Sequence, residues 1–268
     1  GGEDTTMQLE SVRVELRPRS AWEAVELGMA LVRRHAAGIW RPWAMVTLPI
    51  FALVNAAAWA LDMLWLAALA MWWLLPVFDR IPLFVLSRAV FADTPTTRQV
   101  LSAQRTWGWR PMLGILTWRR FSPWRAATLP VDLLEGLRGE ALRARRRVVG
   151  TGIQGHAVLL TVACHLFVGV LTMSLLSLAL MFVPAELFSE SLRAMWSLVF
   201  EQPPKGAQLA VNGVLWLAMS AIEPFFVGAG FGLYLNRRVR IEAWDIEIAF
   251  RPMRARVAAS ALPLSAAL

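Results

Sequence analysis

Three ionisable side chains stand where the surrounding sequence offers them little water. Glu223 lies directly before Pro224, close to the middle of the apolar run Ala207–Leu235. Asp79 and Arg80 sit between Pro76 and Pro82, inside the almost continuously apolar stretch Trp43–Ala92. An acid at the centre of a bilayer costs roughly 2.5–3.5 kcal/mol on insertion scales, so Glu223 should face protein or water, protonated or paired. Two kinds of chemistry follow: hydrogen bonding between helices, or a proton or transport path. Asp79 and Arg80 fall near the end of a span, where long side chains reach the headgroups, and a salt bridge there is the structural expectation. Gly228, Gly230 and Gly232, just past Glu223, favour close helix packing.

A second set of residues points at a surface. In the polar segment Asp93–Gly155, Arg105, Arg110, Arg119, Arg120 and Arg125 alternate with Trp107, Trp109, Trp118 and Trp124. Each arginine near an anionic membrane surface contributes on the order of 1 kcal/mol, and tryptophan prefers the headgroup layer. These nine residues are therefore the expected contact with anionic lipid headgroups. Positive-inside topology alone would explain the arginines but not the tryptophans.

Other motifs carry less. Gly150-Thr151-Gly152-Ile153-Gln154-Gly155 has the letters of a dinucleotide fingerprint, but no strand precedes it and an apolar span follows, so it reads as a hinge. Cys164 and His165 are adjacent and point about 100° apart on a helix, a poor chelate. No nucleophile–base set is present. The sequence therefore predicts no catalytic residues, no cofactor, no metal and no nucleic-acid partner.

The elements that must hold these residues are membrane helices. The chain has 268 residues, of which 57% are apolar and 17% charged, with a net charge of +8 and a mean hydropathy of +0.50. A soluble domain is nearer half apolar and a quarter charged. About 20 apolar residues cross a bilayer, which places spans near Trp43–Leu61, Met63–Leu83, Ala157–Val183 and Ala207–Leu235, with Asp62 at the first turn. The fold class is all-α, four transmembrane helices with amphipathic interfacial helices. Ser11–Leu16 alternates and could pair as a short strand with Ile241–Phe250, which alternatively continues the fourth helix.

The chain divides accordingly. Residues 1–42 form an N-terminal segment in which Ser20 and Glu23 make a capping box, opening an interfacial helix with Trp22, Val25, Met29 and Val32 on its apolar face. Gly1–Thr6 lacks the pattern of a cleaved signal peptide, and Met7 is a native start in that reading. Residues 43–92 are a transmembrane hairpin, entered through Trp40-Arg41-Pro42-Trp43 with the proline in the first turn. Residues 93–155 are the Arg/Trp loop: Thr96 or Thr97 caps a helix to Gln104, and Pro130 starts another that runs to about Val149. Residues 156–236 hold spans three and four around a loop, 185–206, with an amphipathic helix at Phe188–Phe200; residues 237–268 are a tail. Loop 185–206 carries only Arg193 and Lys205 as cations. The positive-inside rule then puts both termini and the Arg/Trp loop in the cytoplasm of a multi-pass membrane protein with four spans.

Three phrases carry a resemblance. Leu16-Arg17-Pro18-Arg19-Ser20-Ala21-Trp22-Glu23-Ala24, the run from Asp79 to Arg88, and Glu223-Pro224-Phe225-Phe226 with Arg240 through Glu247 resemble an uncharacterised family of Gram-negative inner-membrane proteins. Members are encoded beside MoxR-type ATPases and transglutaminase-like membrane proteins, which implies a cell-envelope assembly and supplies no catalytic residue. The expected function is a non-enzymatic scaffold or subunit of such a complex, bound to other membrane proteins or to a second copy. One alternative is a small transporter or channel using Glu223; another is a membrane-bound lipid-modifying enzyme.

Overall fold

The computed structural model describes residues 18–91, 94–182 and 204–242 and is all-helical. Ser20 accepts from the Glu23 N–H while the Glu23 carboxylate accepts from the Ser20 N–H, and this capping box opens α1, Ala21–Arg34. His35 breaks the path, and α2 runs over Ala36–Ala60. The chain turns at Asp62, at φ 56°, into α3, Leu64–Phe78, and α4, Arg80–Phe91. Shorter helices follow: α5, Thr97–Ala103, α6, Met112–Leu116, a 3₁₀ turn at Trp118–Phe121, α7, Arg125–Leu134, and α8, Gly139–Gly150. The long helices α9, Gln154–Met181, and α10, Lys205–Glu242, complete the described residues.

Four helical stretches, Ala36–Ala60, Leu64–Val90, Gln154–Ala179 and Lys205–Glu242, are long and apolar enough to span a membrane. At about 1.5 Å per residue, α10 is roughly 57 Å long, well beyond the roughly 30 Å of a bilayer's hydrocarbon layer. It is also the hub, with α1, α9, α7 and α3 packed around it. The two inner spans are 67% and 61% buried over their most apolar windows, against 22% and 17% for Ala36–Ala60 and Gln154–Ala179. The outer pair therefore offers its apolar sides to whatever surrounds the bundle.

Glycines set the closest approaches. A Cβ on Gly28 would lie 2.0 Å from the Gly228 carbonyl oxygen, one on Gly232 2.0 Å from that of Ala24, and one on Gly230 2.4 Å from that of Ala126. Gly228 and Gly232 thus seat α1 on one side of α10, and Gly230 seats α7 on another. The expected tight packing at these glycines is observed. The buried stripe of α1 is Ala24, Val25, Gly28, Leu31 and Val32. Trp22, assigned to the apolar face from the sequence, is 50% exposed, because backbone-to-backbone contact at glycine selects small residues there.

Several boundaries differ from expectation. Pro42 lies well inside α2, which starts seven residues before span one was expected to begin at Trp43. Trp43 is buried, not at a headgroup layer: its indole N–H donates to the Ser220 hydroxyl at 3.0 Å, and Trp40 donates to the Ser220 carbonyl at 3.0 Å. The helix expected from Pro130 to Val149 is two helices, because Gly136 and Gly139 take positive φ values of 63° and 55°. The capped helix at Thr96 is observed, and Gly152, at φ 86°, makes the expected joint before the third span. Ser11–Leu16, Phe188–Phe200 and most of Ile241–Phe250 lie outside the described residues, which contain no strand; Ile241 and Glu242 extend α10.

Candidate functional site: a buried charge cluster

The acids of the two apolar runs meet a cation from the loop. Asp79 marks the break between α3 and α4, Glu223 sits on α10, and Arg125 opens α7. One Arg125 terminal nitrogen donates to Asp79 Oδ2 at 2.8 Å, and the other to Glu223 Oε1 at 2.8 Å. All three side chains are buried. The local sequence accounts for this placement. Residues Arg125–Leu133 are all buried, and Ala126 at the Gly230 contact lets the α7 backbone lie against α10. The guanidinium fork then spans two carboxylates from two different helices, a geometry a lysine ammonium does not reproduce.

The electrostatics close on themselves. Burial opposes the Arg125 charge, but Asp79 and then Glu223 outweigh it and hold the guanidinium above the usual arginine value. Arg120 lies near enough to feel both acids; burial, reinforced by Arg125, pushes it down to about 10. It stacks over the Trp72 ring at 3.9 Å and donates to the Trp72 carbonyl. Two arginines and two acids make a formally neutral set. Asp79 Oδ1 has no hydrogen-bond partner, so the cluster retains one unsatisfied acceptor.

Arg80 points elsewhere. Its guanidinium donates to the carbonyls of Val77, Trp107 and Gln104 at 3.0, 2.6 and 3.3 Å and stacks over Trp109 at 4.0 Å. The expected Asp79–Arg80 salt bridge is replaced by this clamp on segment 104–109, since Asp79 is already held by Arg125.

The residues expected at lipid headgroups therefore separate into two groups. Arg105, Arg110, Trp109 and Trp124 are exposed, and Trp107 and Arg119 partly so. Arg120 and Arg125 are buried inside the bundle, a correction that follows from the acids Arg125 satisfies and from the Trp72 ring and carbonyl that hold Arg120. Arg119 instead joins Arg146 on Asp132, tying α8 back to α7. The side chain of Trp118 lies outside the described residues.

Two further polar clusters were not anticipated. At the arginine-rich end, Arg145 binds Glu135 at 2.6 Å and also Glu242, while Tyr234 donates to Glu135 at 3.0 Å. Toward the Asp62 end, the Asn212 amide donates to Asn55 Oδ1 at 2.8 Å and to the Leu64 carbonyl at 3.0 Å, and Lys205 pairs with Asp62. In sequence Asn55 is the only amide of the run Trp43–Ala92, and Asn212 is one of two, with Gln208, in Ala207–Leu235; polar groups so placed in apolar runs are the signal for these contacts.

Glu223 also borders a cavity of about 330 Å³ between the spans, lined with Trp72, Leu75, His165, Val168 and Met219. His165 bonds the Thr161 carbonyl through Nδ1 at 2.7 Å and meets Phe226 edge-on. Among the described residues, no group of three or more His, Cys, Asp or Glu side chains could hold a metal. No family model matches the chain, and no curated protein or solved structure matches it.

Proposed function

We propose that this chain is a non-enzymatic scaffold or subunit of a cell-envelope complex in a bacterial inner membrane, with both termini and residues 93–155 in the cytoplasm. The observation that carries this reading is the use of the intramembrane charges. Asp79 and Glu223 are both bonded to Arg125, so the costly ions are spent on joining the Arg/Trp loop to two spans. Four apolar helices support the membrane placement, and the thinly buried Ala36–Ala60 and Gln154–Ala179 supply surface for other membrane proteins or a second copy. Exposed Arg105, Arg110 and Trp109 supply contact with anionic headgroups. The resemblance to proteins encoded beside envelope-assembly partners points the same way. Mild-detergent extraction from native membranes, followed by native gel electrophoresis, should give a complex with other membrane proteins at fixed ratio. Recovery as a lone monomer overturns the reading.

A second reading, a small transporter or channel, is favoured by the cavity bordered by Glu223 and His165. In it, Glu223→Gln abolishes flux in liposomes while the fold is retained. Unchanged flux removes Glu223 from any such path.

A further inference from the structure

A different cleft has the chemistry of an anion site. It has a volume of about 590 Å³ and lies where α4 meets α5 and the turn that follows, outside the buried cluster. Its polar lining is Arg88, Thr94, Gln99, Ser102, Thr106 and Trp107, and no carboxylate lines it among the described residues.

The donors are held in place. The Arg88 guanidinium stacks over the Phe84 ring at 4.9 Å, and Phe84 meets Trp107 edge-on at 5.2 Å. Gln99 Oε1 accepts from the Thr96 backbone N–H at 2.8 Å and from the Thr96 hydroxyl at 3.1 Å. That leaves both N–H groups of the Gln99 amide to donate elsewhere. A planar guanidinium with a fixed amide and a threonine hydroxyl matches an oxyanion with several acceptor oxygens. Among the described residues, a cation ligand would meet Arg88 with no acid to offset it.

We infer that this cleft binds a phosphate group, with Arg88 as its fork, Gln99 and Thr106 as neutral donors, and the Phe84–Trp107 pair as its apolar floor. Arg88 is two residues from the end of the Leu64–Val90 span, which puts the cleft at the depth of phospholipid headgroups. The same chemistry would take a soluble phosphate, so the source has to be measured. The site does not depend on the scaffold reading.

The test uses purified full-length protein in a neutral detergent, titrated calorimetrically with inorganic phosphate, short-chain phosphatidylglycerol and short-chain phosphatidylcholine. Saturable binding of phosphatidylglycerol without inorganic phosphate assigns the lipid source, and the reverse assigns a soluble phosphate. Arg88→Gln should weaken the bound anion about tenfold, as loss of a charge-assisted pair does. Thr106→Val should weaken it several-fold, roughly the effect of one neutral hydrogen bond. Arg143→Gln, an exposed arginine on α8 outside the cleft, should change it by less than about twofold. Arg88 and Thr106 are exposed, so both variants should keep the elution volume and melting temperature of the parent. Equal losses for Arg88→Gln and Arg143→Gln would mean diffuse surface attraction and overturn the site, as would failure of all three ligands to bind.

Discussion

Arg125→Met removes the cation that two buried acids share, and the size of the loss can be worked out. Taking one partner from a buried ion pair costs about 3–5 kcal/mol, because the remaining charge is left uncompensated. Here Arg125 has two partners, each at 2.8 Å. Arg120 is near both and stays in place to offset one of them. The other must take up a proton, and for an ordinary carboxylic acid near pKa 4 this costs about 4 kcal/mol at pH 7. The expected destabilisation is therefore about 4 kcal/mol, read by reversible unfolding in mixed micelles. The folded variant then holds one proton more than its unfolded form, so its stability falls as pH rises. The deficit should shrink by about 1.4 kcal/mol per unit as pH drops from 7 toward 5. The triple variant Arg125→Met, Asp79→Asn, Glu223→Gln has no stranded ion and should recover most of the loss, as buried ion pairs replaced by neutral groups often do. A loss under about 1 kcal/mol for the single variant, or a triple variant no better than the single, would refute the reasoning.

Three further outcomes test the packing around that cluster. Gly232→Val places a side chain on the Ala24 carbonyl, 2.0 Å from an added Cβ; the backbone must shift, costing at least about 1–3 kcal/mol, and α1 should become open to protease. Arg80→Lys keeps the charge but cannot reach the carbonyls of Val77, Gln104 and Trp107 together. Cleavage within residues 104–109 should rise while the Trp40 and Trp43 contacts to Ser220 persist, as read by tryptophan fluorescence. Asn212→Leu strands Asn55 Oδ1 and frees the Leu64 carbonyl. A loss of about 1–2 kcal/mol is expected, the range of hydrogen bonds between membrane helices; no loss in the same micelle unfolding assay would show that these amides find other partners.

Much of the architecture was readable because bilayer thickness is a severe filter. An apolar run of about 20 residues has few structures open to it, and the four runs in this chain are helical in the structure, the second as two helices, α3 and α4, that meet at Asp79. Caps were readable for a similar reason: Ser20–Glu23 and Thr96–Gln99 each place complementary groups three residues apart, and both capping boxes form. What failed was the treatment of segment 93–155 as a surface. Its arginine content made it look solvated throughout, yet Ala126–Leu133 carries a single charge, Asp132, between Arg125 and Glu135. Eight residues cannot span a bilayer, but they can fill the space between two spans, which is where α7 lies. The tryptophans misled in the same way: Trp40 and Trp43 carry N–H groups that find Ser220 inside the bundle. Amphipathic side chains serve an interior contact as well as a headgroup layer.

The pairing of the acids exposes a more specific gap in sequence reasoning. Asp79 and Arg80 are neighbours, and neighbouring residues on a helix point about 100° apart, so adjacency argues against a mutual salt bridge, as it does for Cys164 and His165. With Arg80 set aside, the two acids Asp79 and Glu223 need a cation from outside their own runs. Two arginines head short, largely apolar segments in the loop, Arg110 before Met112–Leu116 and Arg125 before Ala126–Leu133, and either is a residue that a buried helix would carry inward. That inference needs only charge balance and the lengths of the two segments. It narrows the eleven arginines of segment 93–155 to two, without showing which acid either meets. Joining both acids to one fork depends on Gly230 admitting Ala126 to backbone contact, a distance that neither composition nor periodicity encodes.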